Sequence, residues 1–107
     1  MDLEYNQGIL FVRLEGNLTR STSYKINNYL VPLLLKQKIK YLVYNLWNLN
    51  DIDEDGIDAI LNTKYAIKSN KGLLYLCEVN KSLNKKIQKL HIKKTENECS
   101  AIKAIEV

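Results

Sequence analysis

The sequence is poor in the residues from which specialised sites are usually built. It holds one histidine, two cysteines, one proline, one tryptophan and four glycines in 107 residues. Cys77 and Cys99 do not form a Cys-x-x-Cys pair, and only His91 could assist them, so neither a zinc site nor a disulfide framework is indicated. Cys77 falls inside an apolar run and is expected to be a buried strand residue. Gly8, Gly16, Gly56 and Gly72 are isolated from one another, which excludes a glycine-rich phosphate loop. No serine or cysteine nucleophile can be matched with a base, and His91 reads as structural or surface. No catalytic residue, metal or cofactor is therefore expected. Long hydrophobic runs are also missing: Ile9–Val12 and Leu33–Leu35 fall far short of the roughly 20 residues a membrane helix needs. Met1 to Gly8 carries acids, with no basic region and apolar stretch of the secretory kind. A cytoplasmic protein without membrane contact is expected.

What is present has the balance of an ordinary globular domain, 46% hydrophobic and 26% charged, and the length fits one domain spanning residues 1–107. The net charge of +4 is modest and comes mainly from lysines. Lys81, Lys85 and Lys89 recur at steps of four, with Lys86, Lys93 and Lys94 nearby. Such a stripe could meet phosphates, but it is more often the solvated face of an amphipathic helix. No aromatic stacking signature or arginine fork accompanies it, so nucleic acid is not the expected partner.

Three compact apolar runs, Ile9–Leu14, Tyr41–Leu46 and Leu73–Cys77, suit strands buried on both faces. Asp2 to Asn6 alternates polar and apolar residues, and Asn6-Gln7-Gly8 can turn it back as an antiparallel first strand. Between the strands lie helical patterns. Ile26, Leu30, Leu33 and Leu34 mark one face of a first helix, which Pro32 is expected to kink or to end near Val31. Ile57, Ile60, Leu61 and Tyr65 mark a second, stopped by Asn70-Lys71-Gly72. Leu83, Ile87 and Leu90 suggest a third, capped by Asn80 or Ser82. His91 to Thr95 is a weak final strand, and Asn97 to Ile105 a fourth helix anchored by Ile102 and Ile105. The order is ββαβαβαβα, an α/β fold with a mixed, largely parallel sheet.

The informative stretch runs from Asn45 to Leu61, from the end of a buried strand through a polar loop into the second helix. Partners of open α/β sheets are commonly met beyond the carboxyl ends of the strands. Asp53-Glu54-Asp55-Gly56 at this helix entrance resembles the Asp-Ser-Ser-Gly signature of the bacterial anti-anti-sigma factors, the STAS domain family. Val12 to Leu18 is similar to that family's leading strand and turn, Gly72 to Cys77 to its fourth strand, and Asn80 to Leu90 to the helix that follows. The resemblance extends from Ile9 to Ile105. It implies the STAS fold and protein–protein regulation, in which the domain captures an anti-sigma factor kinase and so frees a sigma factor.

Two departures bear on that expectation. The family's phosphorylated serine, immediately before the glycine, is Asp55 here, and its neighbouring serine is Glu54, so no hydroxyl is available at the switch. Unless Asp55 takes phosphate as an acyl phosphate, its charge is fixed. Aspartate carries one negative charge against about 1.5 to 2 for phosphoserine, and Glu54 is expected to supply part of the difference. The second departure is Thr19, which stands where the family has an aspartate after its second strand. By the same resemblance the contact set is Asn48, Asn50, Asp51, Asp53, Glu54, Asp55, Asp58 and Asn62. Read without it, Asp53-Glu54-Asp55 is a well-capped helix start, since acids face the positive end of the helix dipole. Trp47 is either a partly exposed partner anchor or a lid over the sheet's end. The alternatives are a scaffold or sensor that assembles with other STAS domains or takes a small apolar ligand, and, ranked below it, a weak nucleic-acid binder. A receiver-like phosphotransfer domain fits less well, because the second strand ends in Gly16-Asn17 and not in an acidic pair.

Overall fold

The computed structural model describes residues 1–106. Strand β1 (Asp2–Asn6) pairs antiparallel with β2 (Ile9–Leu18) across a two-residue turn. Gln7 and Gly8 both have positive φ, 51° and 84°, as the tight hairpin turn that matches strand twist requires. A π-helical turn (Ile26–Leu30) leads directly into α1 (Val31–Lys36). Then follow β3 (Tyr41–Ile52), α2 (Glu54–Ser69), β4 (Leu73–Cys77), α3 (Asn84–Ile87, between the 3-10 turns Lys81–Leu83 and Gln88–Leu90), β5 (Lys93–Thr95) and α4 (Glu98–Glu106). The order of elements is the one anticipated.

The five strands lie in sequence order, and β2 to β5 are mutually parallel. Each right-handed crossover between neighbours in a sheet extended in one direction puts its helix on the same face. Ile26, Leu30, Leu34, Ile60, Leu83 and Ile87 accordingly share one core with Leu10, Leu42 and Leu76. Only α4, which follows the edge strand, folds back over the other face, where Ala101 packs with Ile9, Phe11, Val43, Tyr75 and Cys77. Both faces are thus covered, which explains the nearly continuous apolar runs. Cys77 is fully buried, and desolvation pushes its thiol up to about 12.

The π turn is how the chain accommodates Pro32. Of the two expected outcomes near Val31, a kink or an end, the helix does not end there but changes its winding from π to α: Pro32 lies in the first turn of α1, where its missing N–H is tolerated, and the Val31 N–H bonds back to Ile26 O. The buried arc of α2 agrees with the expected face at Ile57 and Ile60 and departs from it at Leu61 and Tyr65. It runs through Gly56, Ile60, Thr63 and Ile67, with Ala59 and Ala66 beside it, while Leu61 is half-buried and Tyr65 is 60% exposed. Ile57, Ile60 and Ile67 share this arc with Gly56, Ala59, Thr63 and Ala66, and the small residues among them let the helix approach the sheet closely. Thr63 is buried as a hydroxyl: it bonds the Tyr44 phenol at 2.8 Å and donates to Ile60 O at 2.6 Å. Burial of that phenol pushes its pKa up.

Arg13 closes the far face. Its Nε and Nη2 donate to both oxygens of Glu98 at 2.9 Å, and Nη1 donates to Glu4 at 2.9 Å and Asp2 at 3.3 Å. Asn45 adds a bond to Glu98 at 2.8 Å. The first turn of α4 is therefore held on the sheet by a two-pronged ion pair, which keeps the Glu98 carboxyl below its usual range, with the Arg13 bond as the main cause.

Helix α2 ends in a Schellman arrangement, with Gly72 N–H bonding Ile67 O and Lys71 N–H bonding Lys68 O. The left-handed residue is Lys71, at φ 61°, and not the glycine. Gly72 serves a different need: an added Cβ would sit 1.8 Å from the Lys40 carbonyl oxygen. Asn70 fixes the same corner by donating to Leu34 O and Ile39 O. Gly72→Ala is therefore expected to destabilise the fold by about 3 kcal/mol, at the upper end of overpacking costs. The check is a lower urea midpoint at an unchanged slope.

Candidate functional site

The stretch Asn48–Asp55 is mostly strand and not the expected loop. β3 continues to Ile52, paired with β2 through Leu18, long after β4 has ended opposite Asn45. Its polar residues are poor strand formers, but Leu46, Leu49 and Ile52 recur every third position and all are buried. Two register shifts reconcile that spacing with a pleat of period two. One extra β3 residue is absorbed between Arg13 and Glu15 of β2, and another between Gly16 and Asn17. Asn48, Asn50 and Asp51 are left exposed on the projecting ribbon.

Asp53 ends this ribbon and caps α2. Its Oδ1 accepts from Gly56 N–H at 2.9 Å, its Oδ2 accepts from Arg20 N–H at 3.0 Å, and its own N–H donates to Leu18 O at 3.2 Å. The Gly56 bond is the main reason its carboxyl lies below the ordinary value. Gly56 is required by packing: a Cβ there would fall 2.3 Å from Leu18 O and 2.7 Å from Ile52 Cγ1. Two residues of the four-residue signature, Asp53 and Gly56, thus have structural work. Glu54 and Asp55 occupy the first two helical positions, exposed, at the positive end of the dipole.

Apart from Asp53, the exposed polar side chains around the helix entrance separate into two groups. Asp51 accepts from Lys86 at 2.5 Å, the main cause of its lowered pKa, and Glu54 accepts from Lys89 at 2.6 Å. Both pairs border a cavity of about 290 Å³ between the α2 entrance and α3. Asp55, Asp58 and Asn62 form the other group, one exposed helical stripe at steps of three and four, and Asn62 donates to Asn27 at 2.9 Å. Among the described residues, Asp55 has no ion pair.

Several participants were not foreseen from the sequence. Lys89 belongs to the stripe read as a solvated face and Lys86 lies beside it, and nothing local signals that they reach acids 35 positions earlier. Arg20 contributes only its backbone, which no composition rule detects. Thr19, beside it, donates its own N–H to Thr22 Oγ1 at 2.8 Å, which holds the turn that presents Arg20. Trp47 is 68% exposed on the ribbon, which removes the lid reading. It lines an open cleft with Val79, Asn80 and Thr95. His91 is exposed, at a left-handed turn with φ 51°.

The comparisons with known proteins agree on the fold. A family model described as the STAS domain matches residues 1–103. The anti-sigma F factor antagonist of Paenibacillus polymyxa is 26% identical over 111 residues, which cover 100% of this chain and 95% of that protein. The structure of the anti-sigma factor antagonist SpoIIAA in its unphosphorylated form superposes with a TM-score of 0.81 at 18% identity, over 98% of this chain and 96% of that one. The Bacillus cell fate determinant SpoIIAA in the phosphorylated form gives 0.78 at 18% identity, over 97% of each chain.

The Asp53 cap has a pH signature. A carboxyl whose folded pKa is depressed adds stability that is fully present above its unfolded value, about 3.9, and is lost as pH falls through the folded one. Asp53→Ala is expected to be less stable than the parent at neutral pH, with the gap closing below about pH 4. Urea titrations between neutral and acid pH measure it.

Proposed function

The chain belongs to the STAS domain family, and from that premise we propose that it acts as an anti-sigma factor antagonist whose switch is fixed in the charged state. The partner is an anti-sigma factor with serine kinase activity. The observation that carries this reading is Asp55: a permanently charged, exposed side chain at the second position of α2, directly before Gly56, where the resemblance puts the phosphorylated serine. Support for the partner class comes from the Paenibacillus relative, named for antagonism of an anti-sigma factor. SpoIIAA, which shares the fold, exists in phosphorylated and unphosphorylated forms.

The ion pairs refine the contact set. Asp53 is occupied as a cap, and Asp51 and Glu54 are engaged by Lys86 and Lys89. Glu54 therefore adds less to the charge at Asp55 than its neighbouring position suggests. The contact surface we favour is the stripe Asp55, Asp58 and Asn62, flanked by Asn48 and Asn50 on the ribbon. A single negative charge in the first helical turn is well tolerated by the dipole, so the fixed charge is compatible with folding and acts on binding. In this reading the wild-type protein resembles the form that a kinase releases.

The test uses the cognate kinase with ATP, the wild-type protein and Asp55→Ser. Wild type is expected to accept no phosphate and to bind weakly. The serine variant is expected to be phosphorylated and, before transfer, to bind about tenfold or more tightly, a difference of about 1.4 kcal/mol. Tight binding of the wild-type protein to that kinase would refute the fixed-switch reading.

A further inference from the structure

The two edges of the sheet differ. At one, β5 is three residues long and carries Lys93 and Lys94, and short length with lysines is how an edge is kept from pairing with other chains. At the other, β1 is five residues long, all of them exposed, and no strand lies beyond it. Its backbone is open in a defined way. In a two-residue hairpin the pair that flanks the turn, here Asn6 and Ile9, exchanges both ladder bonds, and bonded pairs then recur at every second residue, at Glu4 with Phe11 and Asp2 with Arg13. Leu3 and Tyr5 therefore turn their N–H and C=O groups outward, two donors and two acceptors along one line.

The side chains of this edge divide by face. Leu3 and Tyr5 stand opposite Val12 and Leu10, so they project on the side of the core beneath α1, α2 and α3, yet they are 41% and 63% exposed. Asp2 and Glu4 stand opposite Arg13 and Phe11 and project on the α4 side. There the three carboxylates of Asp2, Glu4 and Glu98 share one guanidinium, so the patch keeps an excess of two negative charges on a chain whose net charge is +4. A second copy of β1 is a poor neighbour for it. Antiparallel pairing that joins Leu3 to Tyr5 puts Glu4 directly against Glu4 of the other copy, and like charges in that position destabilise a sheet. A strand with a basic residue there and apolar residues on either side of it meets both faces.

We propose that β1 is a docking edge for an extended segment of another protein, one that alternates apolar and basic residues and joins the sheet as an added strand. Backbone hydrogen bonds tie it to Leu3 and Tyr5, its apolar side chains lie beside theirs, and its basic side chains face Glu4 and Asp2. The edge shares no residue with the helix entrance at Asp53–Gly56, so the inference does not depend on the reading of Asp55.

The probe is a blocked pentapeptide, Val-Lys-Val-Lys-Thr, titrated into the isotope-labelled protein and followed by amide chemical shifts. Saturable shifts centred on Leu3 and Tyr5 are expected, with an affinity about tenfold above that of Val-Glu-Val-Glu-Thr, as two cross-strand charge pairs predict. Tyr5→Pro removes one outward N–H without touching a ladder bond to β2, and should bind about tenfold more weakly than Tyr5→Ala, which lacks the ring alone. Asp2→Lys with Glu4→Lys should reverse the preference between the two peptides. Circular dichroism establishes that the variants fold. The proposal is overturned by the absence of saturable shifts at Leu3 and Tyr5, by equal affinity of the parent protein for both peptides, or by undiminished binding to Tyr5→Pro. It is overturned also by a concentration-dependent dimer of the free protein that Tyr5→Pro dissolves, which would assign the edge to a second copy.

Discussion

The carboxylate of Asp53 and the missing side chain of Gly56 set the position of α2, and the geometry of the helix entrance follows from it. One Asp53 oxygen holds the first turn of α2 and the other holds Arg20, in the turn leaving β2, while the Asp53 N–H reaches the last carbonyl of β2. Gly56 lets the helix backbone come so near that carbonyl that even a methyl group would not fit. Strand end, turn and helix start therefore move as one body. A charge in that first turn is presented at a fixed place relative to the ribbon of β2 and β3, as recognition by a partner demands.

The charges around this body are already partly matched within the molecule. Asp51 faces Lys86 of α3 and Glu54 faces Lys89 of the 3-10 turn that follows it, and the four carboxylate oxygens around Arg13 belong to three different acids of β1 and α4. Exposed pairs of this kind contribute little to stability because water and salt screen them. Their larger effect is on what the surface offers: a basic partner must displace Lys86 or Lys89 to use Asp51 or Glu54, whereas Asp55 and Asp58 need no such exchange.

Much of the fold could be read from the sequence because its signals are local. Strands covered on both faces need unbroken apolar runs, and Ile9–Leu14, Tyr41–Leu46 and Leu73–Cys77 supply them. What escaped reading depends on neighbours distant in sequence. The extension of β3 is written in a three-residue recurrence, Leu46, Leu49, Ile52, that belongs to neither regular period and makes sense only beside β2 with its register shifts. Spacing puts Tyr65 on the face of Ile57, Ile60 and Leu61, yet the buried arc continues through Thr63, Ala66 and Ile67 and turns the ring outward. At the helix entrance the sequence suggested both a cap and a recognition site. Asp53 fills the first role, and Asp55 is left available for the second. The lysines that pair with Asp51 and Glu54 could not be found from a stripe that reads equally well as solvated.

The fork between Arg13 and Glu98 joins residues 85 positions apart. Contacts of that span require a large loop to close before they return any energy, so they form late unless something brings their ends together earlier. The first core, beneath α1, α2 and α3, is assembled from successive strand–helix units. The second, beneath α4, has to await an already ordered sheet. The two faces of one sheet are thus expected to belong to different stages of folding, and during that interval Ile9, Phe11, Val43 and Tyr75 form a bare apolar surface, the stage at which the chain is most open to association with its own copies.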